Sequence, residues 1–235
     1  MSRGEIIRFL ILRTIGNFLL LFAIFGVLAT FGPSLYFEVY FRIAQARGIT
    51  YAAPDEETPF GELISKSNAV SSGGGLGDLI AGPKEQILIP KDTDFSILIP
   101  KIGASAKVFS NIDPSNENEF LKILSEGVAH SSGTFFPGMK GNIYMFAHST
   151  DNFWDVGRYN AIFYLLKDLS PGDDIVVYFE NQRHNYVVKE SRVVDADDVS
   201  FITQSNTGKE VLILQTCYPP GTTWKRLLVF AEPKN

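Results

Sequence analysis

Cysteine is almost absent from this sequence of 235 residues, in which Cys217 is the only one. One cysteine cannot form an internal disulfide, and it cannot supply the thiolates of a structural zinc site. Histidine is also rare, and the three histidines lie too far apart in sequence to form a paired metal-ligand motif. We therefore expect no metal and no cofactor, and we regard the single thiol as a candidate for chemistry.

An excess of positive charge is absent as well, since 26 Asp and Glu residues outnumber 21 Lys and Arg residues. A net charge of −5 argues against nucleic acid as a partner, because phosphate backbones attract basic surfaces. Apolar residues make up 45% of the chain, which is enough for a packed core and excludes wholesale disorder. The composition thus predicts a globular protein.

A long uncharged segment lies near the N-terminus, where residues 14–37 carry no charge over 24 positions. As an α-helix this segment would be about 36 Å long, enough to cross a hydrocarbon layer about 30 Å thick. A cleavable signal peptide has a shorter apolar region, and a buried core helix seldom runs this far without a polar face. We therefore predict a transmembrane signal anchor over residues 14–37, with the lipid bilayer as a partner.

The basic residues around this segment indicate its orientation. Three arginines precede it and two follow it closely, which favours a cytoplasmic N-terminus over residues 1–13 under the positive-inside rule. The remainder of a single-pass plasma-membrane protein would then lie outside the cytoplasm. Tyr36, Tyr40 and Phe41 are predicted to form an aromatic belt at the outer boundary of the bilayer.

Residues 38–86 have the composition of a juxtamembrane segment followed by a flexible linker, with prolines, an acidic run and a glycine cluster at 71–77. The glycine cluster lacks the flanking strand and the Gly-Lys-Ser/Thr ending of a phosphate-binding loop, so the linker is favoured. A further hypothesis is that this segment folds over the functional site as a lid.

From residue 87 onward, short apolar runs are bounded by turn residues, which is typical of strands. The predicted strands are 95–100, 104–110, 141–147, 174–180, 184–194, 211–216 and 224–231, with a hairpin turn at 181–183 and helices at 116–125 and 159–169. The runs 211–214 and 227–230 are apolar on both faces, as in central strands. The pattern predicts a mainly-β barrel or sandwich with short helices over residues 87–235.

Cys217 stands at the end of a predicted strand, and we expect residues 218–223 to form the loop of a hairpin. Cys217 would then pair with Trp224. Gln215 would pair with Arg226, which places the arginine diagonally to the thiol at about 7–8 Å. An arginine at this position stabilises a thiolate or a developing oxyanion. The alternative is that a lone cysteine serves as a small core residue.

His148 directly follows the predicted strand 141–147. A cysteine and a histidine at the ends of two strands are the minimum for thiol catalysis, in which the thiolate attacks and the imidazolium protonates the leaving amine. A structural or solvated histidine is an equally open interpretation. His130, in a Gly/Ser-rich loop, and His184 are predicted to be surface residues, although His130 could line the same rim.

Several motifs in this region resemble the sortase family. Residues 213–217, Ile-Leu-Gln-Thr-Cys, are similar to its active-site motif Thr-Leu-x-Thr-Cys, and Arg226 follows nine residues later. Three further segments resemble the family's opening strand, the loop before its histidine and the histidine segment itself: residues 98–103, 127–134 and 141–148. The motifs occur in the family's order and with similar spacing.

The resemblance implies a closed eight-stranded β-barrel and a cysteine transpeptidase of Gram-positive-type cell surfaces. Sortases cleave a C-terminal sorting signal of the Leu-Pro-x-Thr-Gly kind through a thioester, and an amine from a cell-wall precursor or a pilin lysine resolves it. The implied catalytic residues are Cys217 as nucleophile, His148 as general acid and then base, and Arg226 as partner of the oxyanion and the substrate carbonyl. The implied substrate-binding residues are Ala147, Thr216 and Ile202.

The chain departs from the family pattern in places. Ile213 replaces the first Thr of the active-site motif, and the sequence stops nine residues after Arg226 without a second apolar span. We therefore expect a housekeeping-type enzyme that resembles classes D and E rather than a pilin polymerase. Two alternatives stay open: a membrane-anchored cysteine peptidase with water as acceptor, and a non-catalytic surface-displayed β domain.

Overall fold

The apolar runs beyond residue 87 form the strands of the molecule. The computed structural model describes residues 3–55, 85–149, 163–220 and 222–234, with the backbone alone for residues 29–37. The helices in these ranges are α1 (Arg3–Ala46), α2 (Glu117–Leu124) and α3 (Ser200–Thr203), with 3₁₀ turns at Pro100–Ile102 and Tyr164–Asp168. The strands are β1 (Thr50–Ala52), β2 (Glu85–Ile87), β3 (Phe95–Ile99), β4 (Ala104–Ile112), β5 (Val128–Ser131), β6 (Gly141–Phe146), β7 (Asp174–Phe179), β8 (Gln182–Asp195), β9 (Glu210–Tyr218) and β10 (Lys225–Pro233).

Eight of these strands form a closed barrel in the order β10-β8-β7-β3-β4-β5-β6-β9, and the pairing of β9 with β10 closes it. Neighbouring strands are antiparallel except for two pairs, β4 with β5 and β6 with β9, which are parallel. Closure leaves no barrel strand with an unpaired edge. The mainly-β barrel with short helices is thereby confirmed.

The core extends to both faces of β9 and β10. Leu212, Ile213 and Leu214 in β9 are at most 1% exposed, and Leu228 and Val229 in β10 are fully buried. Side chains alternate between the faces of a strand, so consecutive buried residues require cover on both sides. The prediction that these two runs are central strands is confirmed.

Two local predictions are wrong. The turn between β7 and β8 consists of Glu180 and Asn181, with φ of 49° and 62°, rather than residues 181–183. Positive φ at both positions is typical of a two-residue type I′ turn, whose twist matches that of the flanking strands. The helix predicted at 159–169 is a 3₁₀ turn in its described part, and residues 159–162 lie outside the described residues.

α1 extends well beyond the predicted span. Its part from Arg3 to Leu28 is long and apolar enough to cross a membrane, and its most apolar window has no buried residue. This bears out the N-terminal apolar helix as a candidate membrane span. The bounds of the span and its orientation stay predictions.

The last part of α1 packs against the barrel. Phe41 is 5% exposed and belongs to the main core, so the prediction that it joins an aromatic belt is wrong. Tyr40 is half-buried and packs in a small cluster around Ala44 and Ile49. The Tyr36 side chain lies outside the described residues. A helix end that carries apolar side chains on the barrel side buries them there instead of in lipid.

The predicted spacer over residues 38–86 is structured at both of its described ends. β1 and β2 pair in parallel, with Thr50 opposite Glu85. Tyr51 packs against buried side chains of β3 and β7. Residues 56–84, including the glycine cluster, lie outside the described residues, so the lid and the domain boundaries stay predictions.

Candidate active site

Cys217 lies directly opposite Arg226 in the antiparallel pair of β9 and β10. The predicted register, with Trp224 opposite the cysteine, is therefore wrong by two positions, and Gln215 opposes Leu228 instead. Directly opposite residues have Cβ atoms about 4.5–5.5 Å apart, which is closer than a diagonal pair. The correction brings the arginine nearer to the thiol than the sequence predicts.

The register has a local cause. β9 continues through Tyr218, which pairs with Lys225, so the hairpin loop starts one residue later than predicted. Pro219 has no N–H and cannot donate in the ladder, which ends β9 at that point. Trp224, expected at the start of β10, lies outside the ladder and is 74% exposed.

His148 lies two residues beyond the end of β6, on the other side of β9. The parallel register pairs Phe146 with Gln215, and the Ala147 N–H still donates to the Gln215 carbonyl at 3.2 Å. Continued by two residues, this register aligns His148 with Cys217. The nucleophile candidate therefore has the arginine strand on one side and the histidine strand on the other.

Cys217 and Arg226 share one face of the sheet, because directly opposite residues of a pair project on the same side. Both are half-buried. Thr216 and Leu227, on the alternate face, are 2% and 6% exposed and belong to the interior. We call the face of Cys217 and Arg226 the groove face. Its chemistry is reachable from outside the barrel, whereas the alternate face is not.

Two of the predicted substrate-binding residues connect the strands below the groove. Thr216 donates from Oγ1 to the Ala147 carbonyl at 3.1 Å, and both residues are almost fully buried. This bond holds the end of β6 to the end of β9, one residue before His148 and Cys217. That these residues also flank bound substrate stays a prediction.

The third predicted substrate-binding residue, Ile202, is half-buried on α3, in the connection between β8 and β9. α3 is attached to the groove face, since Phe201 stacks edge to face on Phe230 with ring centroids 5.4 Å apart. Asp198 accepts hydrogen bonds from the N–H and the hydroxyl of Ser200, which lower the pKa of the Asp198 carboxyl. α3 is therefore attached to the groove face at Phe230, and its role as a wall beside bound substrate stays a prediction.

The guanidinium of Arg226 is held by the hairpin loop. Its Nη1 donates to the carbonyls of Thr223 at 3.0 Å and Lys225 at 3.2 Å. Arginine has five N–H donors in a fixed fork, so two bonds from one nitrogen use only part of this capacity. The loop orients the side chain while donors remain for a negatively charged or carbonyl oxygen.

Sequence reasoning missed Tyr144, which lies under the groove. Its hydroxyl donates to Gln215 Oε1 at 2.6 Å, and the residue is 2% exposed. Burial raises the pKa of the phenol, and the Arg226 charge acts in the opposite direction, so the hydroxyl keeps its proton. Gln215, two residues before Cys217, could have indicated Tyr144 from the sequence, because a polar residue on an otherwise apolar strand needs a hydrogen-bond partner.

The other two histidines lie outside this site. His130 is fully buried in β5, which makes the prediction of a surface residue wrong. His184 is half-buried in β8. Within the described ranges, no group of three or more His, Cys, Asp or Glu side chains is arranged to hold a metal ion.

Comparison with known proteins agrees with this architecture. The family model of the sortase domain matches residues 97–234. Sortase D of Bacillus subtilis (strain 168) is 28% identical over 137 residues, which cover 57% of this chain and 60% of that protein. The chain thus matches less than two thirds of the length of this relative.

Solved structures of two sortases share the fold. A lid mutant of sortase A from Corynebacterium diphtheriae is 18% identical with a TM-score of 0.50, over 86% of this chain and 95% of that one. Sortase C-1 from Actinomyces oris is 24% identical with a TM-score of 0.50, over 75% of this chain and 96% of that one. Since the family match runs from within β3 to just beyond β10 and includes the whole groove, the chain belongs to the sortase family.

Proposed function

We propose that this chain is a membrane-anchored cysteine transpeptidase that acts on sorting signals of surface proteins. The observation that carries the proposal is the row of three residues at the barrel end, with Arg226 directly opposite Cys217 and the strand that leads to His148 on the other side. A cysteine that serves only as a core residue has no need of a guanidinium beside it. Membership of the sortase family supports the same conclusion.

The first half of the reaction is acyl transfer to sulfur. The Cys217 thiolate attacks the carbonyl carbon of the scissile peptide bond, and the carbonyl electrons move to its oxygen. The oxyanion collapses, the C–N bond breaks, and His148 gives a proton to the leaving amine. A thioester joins the signal to Cys217, and the C-terminal fragment departs.

The second half regenerates the enzyme. An amine attacks the thioester carbonyl, His148 takes the proton that the amine loses, and the C–S bond breaks to release the thiolate. Arg226 stabilises the oxyanion in both halves, because its charge lies where negative charge develops. Water in place of the amine would give the peptidase instead.

The groove face supplies the binding surface in this proposal. The signal lies along β9, with the wall at Ile202 on one side and the strand ends at Ala147 and Thr216 beneath it. The partners are surface proteins that carry a signal of the Leu-Pro-x-Thr-Gly kind and an amine acceptor from the cell wall or another protein.

The proposed location rests on the N-terminal helix. α1 crosses the plasma membrane once with its N-terminus in the cytoplasm, so the barrel lies where translocated proteins emerge. The apolar composition of Arg3–Leu28 supports the span. The three arginines that precede residue 14 support the orientation.

The test is cleavage of a panel of sorting-signal peptides by the full chain in detergent micelles, with and without an added amine. Cys217→Ala is the matched control, because it removes only the sulfur. We expect cleavage that depends on Cys217 and a product in which the amine is joined to the signal. Acid product alone, even at high amine concentration, would establish the peptidase, and an unreactive thiol without cleavage would establish the binding domain.

A further inference from the structure

We infer that the end of the barrel that carries Cys217 faces the lipid bilayer, and that the C-terminal part of α1 holds it there. We call this end, where β9 stops and β10 starts, the catalytic end. The inference rests on the proposed membrane span but not on the proposed chemistry. The partner is the headgroup surface of the bilayer.

The strand directions place the attachment of α1 at the catalytic end. β10 starts there, and each step round the barrel from β10 through β8 and β7 to β3 is antiparallel. The start of β7 and the end of β3 therefore also lie at the catalytic end. So do the two 3₁₀ turns beside them, Pro100–Ile102 and Tyr164–Asp168.

The last turns of α1 dock on the second of these 3₁₀ turns. Phe41 is 5% exposed and is part of the same core as Tyr164 and Leu165. One turn later, Ala44 is 2% exposed and packs with Ile49. Burial of Phe41 in the barrel core stabilises the attachment by the hydrophobic effect, and the Ala44 cluster fixes the chain that leaves the helix.

Charged pairs fix the direction of the docked helix. Glu38 accepts a hydrogen bond from Lys167 Nζ at 2.8 Å and another from the Tyr164 hydroxyl at 3.3 Å. Arg42 donates to Asp168 at 3.4 Å and pairs with Glu38 at 2.9 Å. The hydrogen bond from Lys167 lowers the pKa of Glu38, so the carboxylate is charged in the docked state. Two alternating pairs select one helix orientation, because the reverse orientation would bring like charges together.

The chain that follows α1 forms a second attachment along the side of the barrel. Tyr51 in β1 packs against the buried cluster of β3 and β7 and covers Gly103 at the catalytic end. The Pro54 carbonyl accepts a hydrogen bond from Arg183, near the turn at the opposite end. Residues 50–54 thus span the barrel from one end to the other, which prevents α1 from acting as a loose tether.

The connection between bilayer and barrel is short and helical. α1 runs without interruption from Arg3 to Ala46. The helix between the span and Phe41 is therefore about 20 Å long if the span ends at Leu28, and about 6 Å long if it ends at residue 37. Pro33 lies in the helix interior, where proline bends a helix, and the helix continues beyond it. The catalytic end is therefore the part of the barrel nearest to the membrane. A signal that is still held in the bilayer would reach Cys217 without crossing the length of the barrel.

The single cysteine makes this geometry measurable. The full chain is reconstituted in nanodiscs that contain lipids with nitroxide-labelled headgroups, and a fluorophore is attached to Cys217. The matched protein is Cys217→Ser with Gln182→Cys, which moves the fluorophore to an exposed position at the opposite end of the barrel. We expect quenching at residue 217 to be several-fold stronger than at residue 182.

Substitutions at the contact between α1 and the barrel test, in the same assay, whether this contact orients the barrel. Glu38→Lys or Lys167→Glu alone should weaken the difference between the two positions, and the double reversal should restore it. Phe41→Asp should abolish the difference, with circular dichroism to verify that the barrel is folded. Equal quenching at both positions in the otherwise unchanged chain, or stronger quenching at residue 182, would overturn the inference. A chain that shows the expected quenching but cleaves no peptide would refute the proposed function and leave this inference intact.

Discussion

His130 lies on β5 and His148 follows the end of the neighbouring strand β6, and the two histidines have opposite surroundings. His130 is in the middle of the ladder of β5, opposite Met145, fully buried and stacked on Phe136 with ring centroids 4.5 Å apart. His148 lies past the end of β6, half-buried beside the groove face. A histidine within a ladder is used for packing, and a histidine just beyond a ladder is available to a substrate.

The hydrogen bonds of His130 show how completely it is built into the core. Nε2 is 2.9 Å from the Phe135 carbonyl, and Nδ1 accepts from the Asn111 N–H at 3.4 Å. Both ring nitrogens are therefore engaged, with Nε2 as the protonated donor. Burial lowers the pKa of this imidazole, and the hydrogen bond to the Phe135 carbonyl raises it by a smaller amount. The lowered pKa keeps the ring neutral. Such a group cannot accept a proton from a substrate without loss of packing.

The largest expected effect separates the two histidines by activity. His148→Ala should reduce peptide cleavage by about 10³-fold, because general acid–base catalysis supplies about 10²–10⁴-fold. Its unfolding midpoint should stay near that of the unchanged chain. Steady-state cleavage and thermal unfolding, measured on one preparation, show whether the loss of activity occurs without loss of stability. Full cleavage by His148→Ala would remove His148 from the mechanism.

The second prediction concerns Arg226, which lies on the other side of Cys217 from the strand that leads to His148. Arg226→Ala should lower kcat by about 10²-fold, the usual loss of one oxyanion donor. Arg226→Lys, which keeps the charge but not the fork, should recover only part of this loss. The rate of Cys217 alkylation is the control. It reports directly on the thiol, so a thiol that alkylates at an unchanged rate assigns the arginine to the oxyanion.

For His130, stability rather than activity should change. His130→Ala should lower the free energy of unfolding by about 3 kcal/mol, as expected for loss of a large buried ring. The folded fraction should cleave peptide at the normal rate. Denaturant titration measures the first quantity and cleavage below the unfolding midpoint the second. A stable but inactive variant would place His130 in the mechanism instead.

The pH dependence of stability should also follow His130. Its pKa is lowered in the folded state, so below the ordinary value of about 6.5 the unfolded chain binds a proton that the folded chain refuses. Stability should be constant above pH 6.5 and fall as the pH decreases below it. His130→Phe should reduce this slope between pH 6.5 and 5.5. Burial lowers the pKa of His184 as well, so His184→Gln should reduce the slope separately and measures the contribution of that residue.

The smallest effect is expected at Tyr144, beneath the groove. Tyr144→Phe removes only the hydroxyl that orients Gln215, which corresponds to about 1 kcal/mol for a neutral hydrogen bond. KM for the signal peptide should rise several-fold while kcat stays nearly constant. Peptides varied at the residues before the scissile bond would show which position meets Gln215. A change confined to kcat would indicate a role closer to the chemistry.

The strands could be predicted from the sequence because apolar runs encode them locally. A short motif also indicates Cys217 and Arg226 as candidate site residues, and their catalytic roles stay predictions. The register of β9 and β10 could not be predicted, since it depends on where Tyr218 ends the ladder. His130 is covered by the rings of Phe95, in β3, and Phe136, in the loop after β5, so its burial depends on tertiary contacts. The contact of α1 with the barrel joins Glu38 to Lys167, 129 positions away, and no local pattern encodes that contact.

The pairing of β6 with β9 has a consequence for the order of folding. Thr216 and Ala147, whose bond aligns the two strand ends, are 69 positions apart, and the hairpin of β7 and β8 forms between them. Contacts of such long separation form late, after local hairpins have shortened the loop to be closed. Cys217 and the strand that leads to His148 therefore come together only when the barrel closes. Under the proposed function, a partly folded chain therefore has an unassembled site and cleaves no peptide.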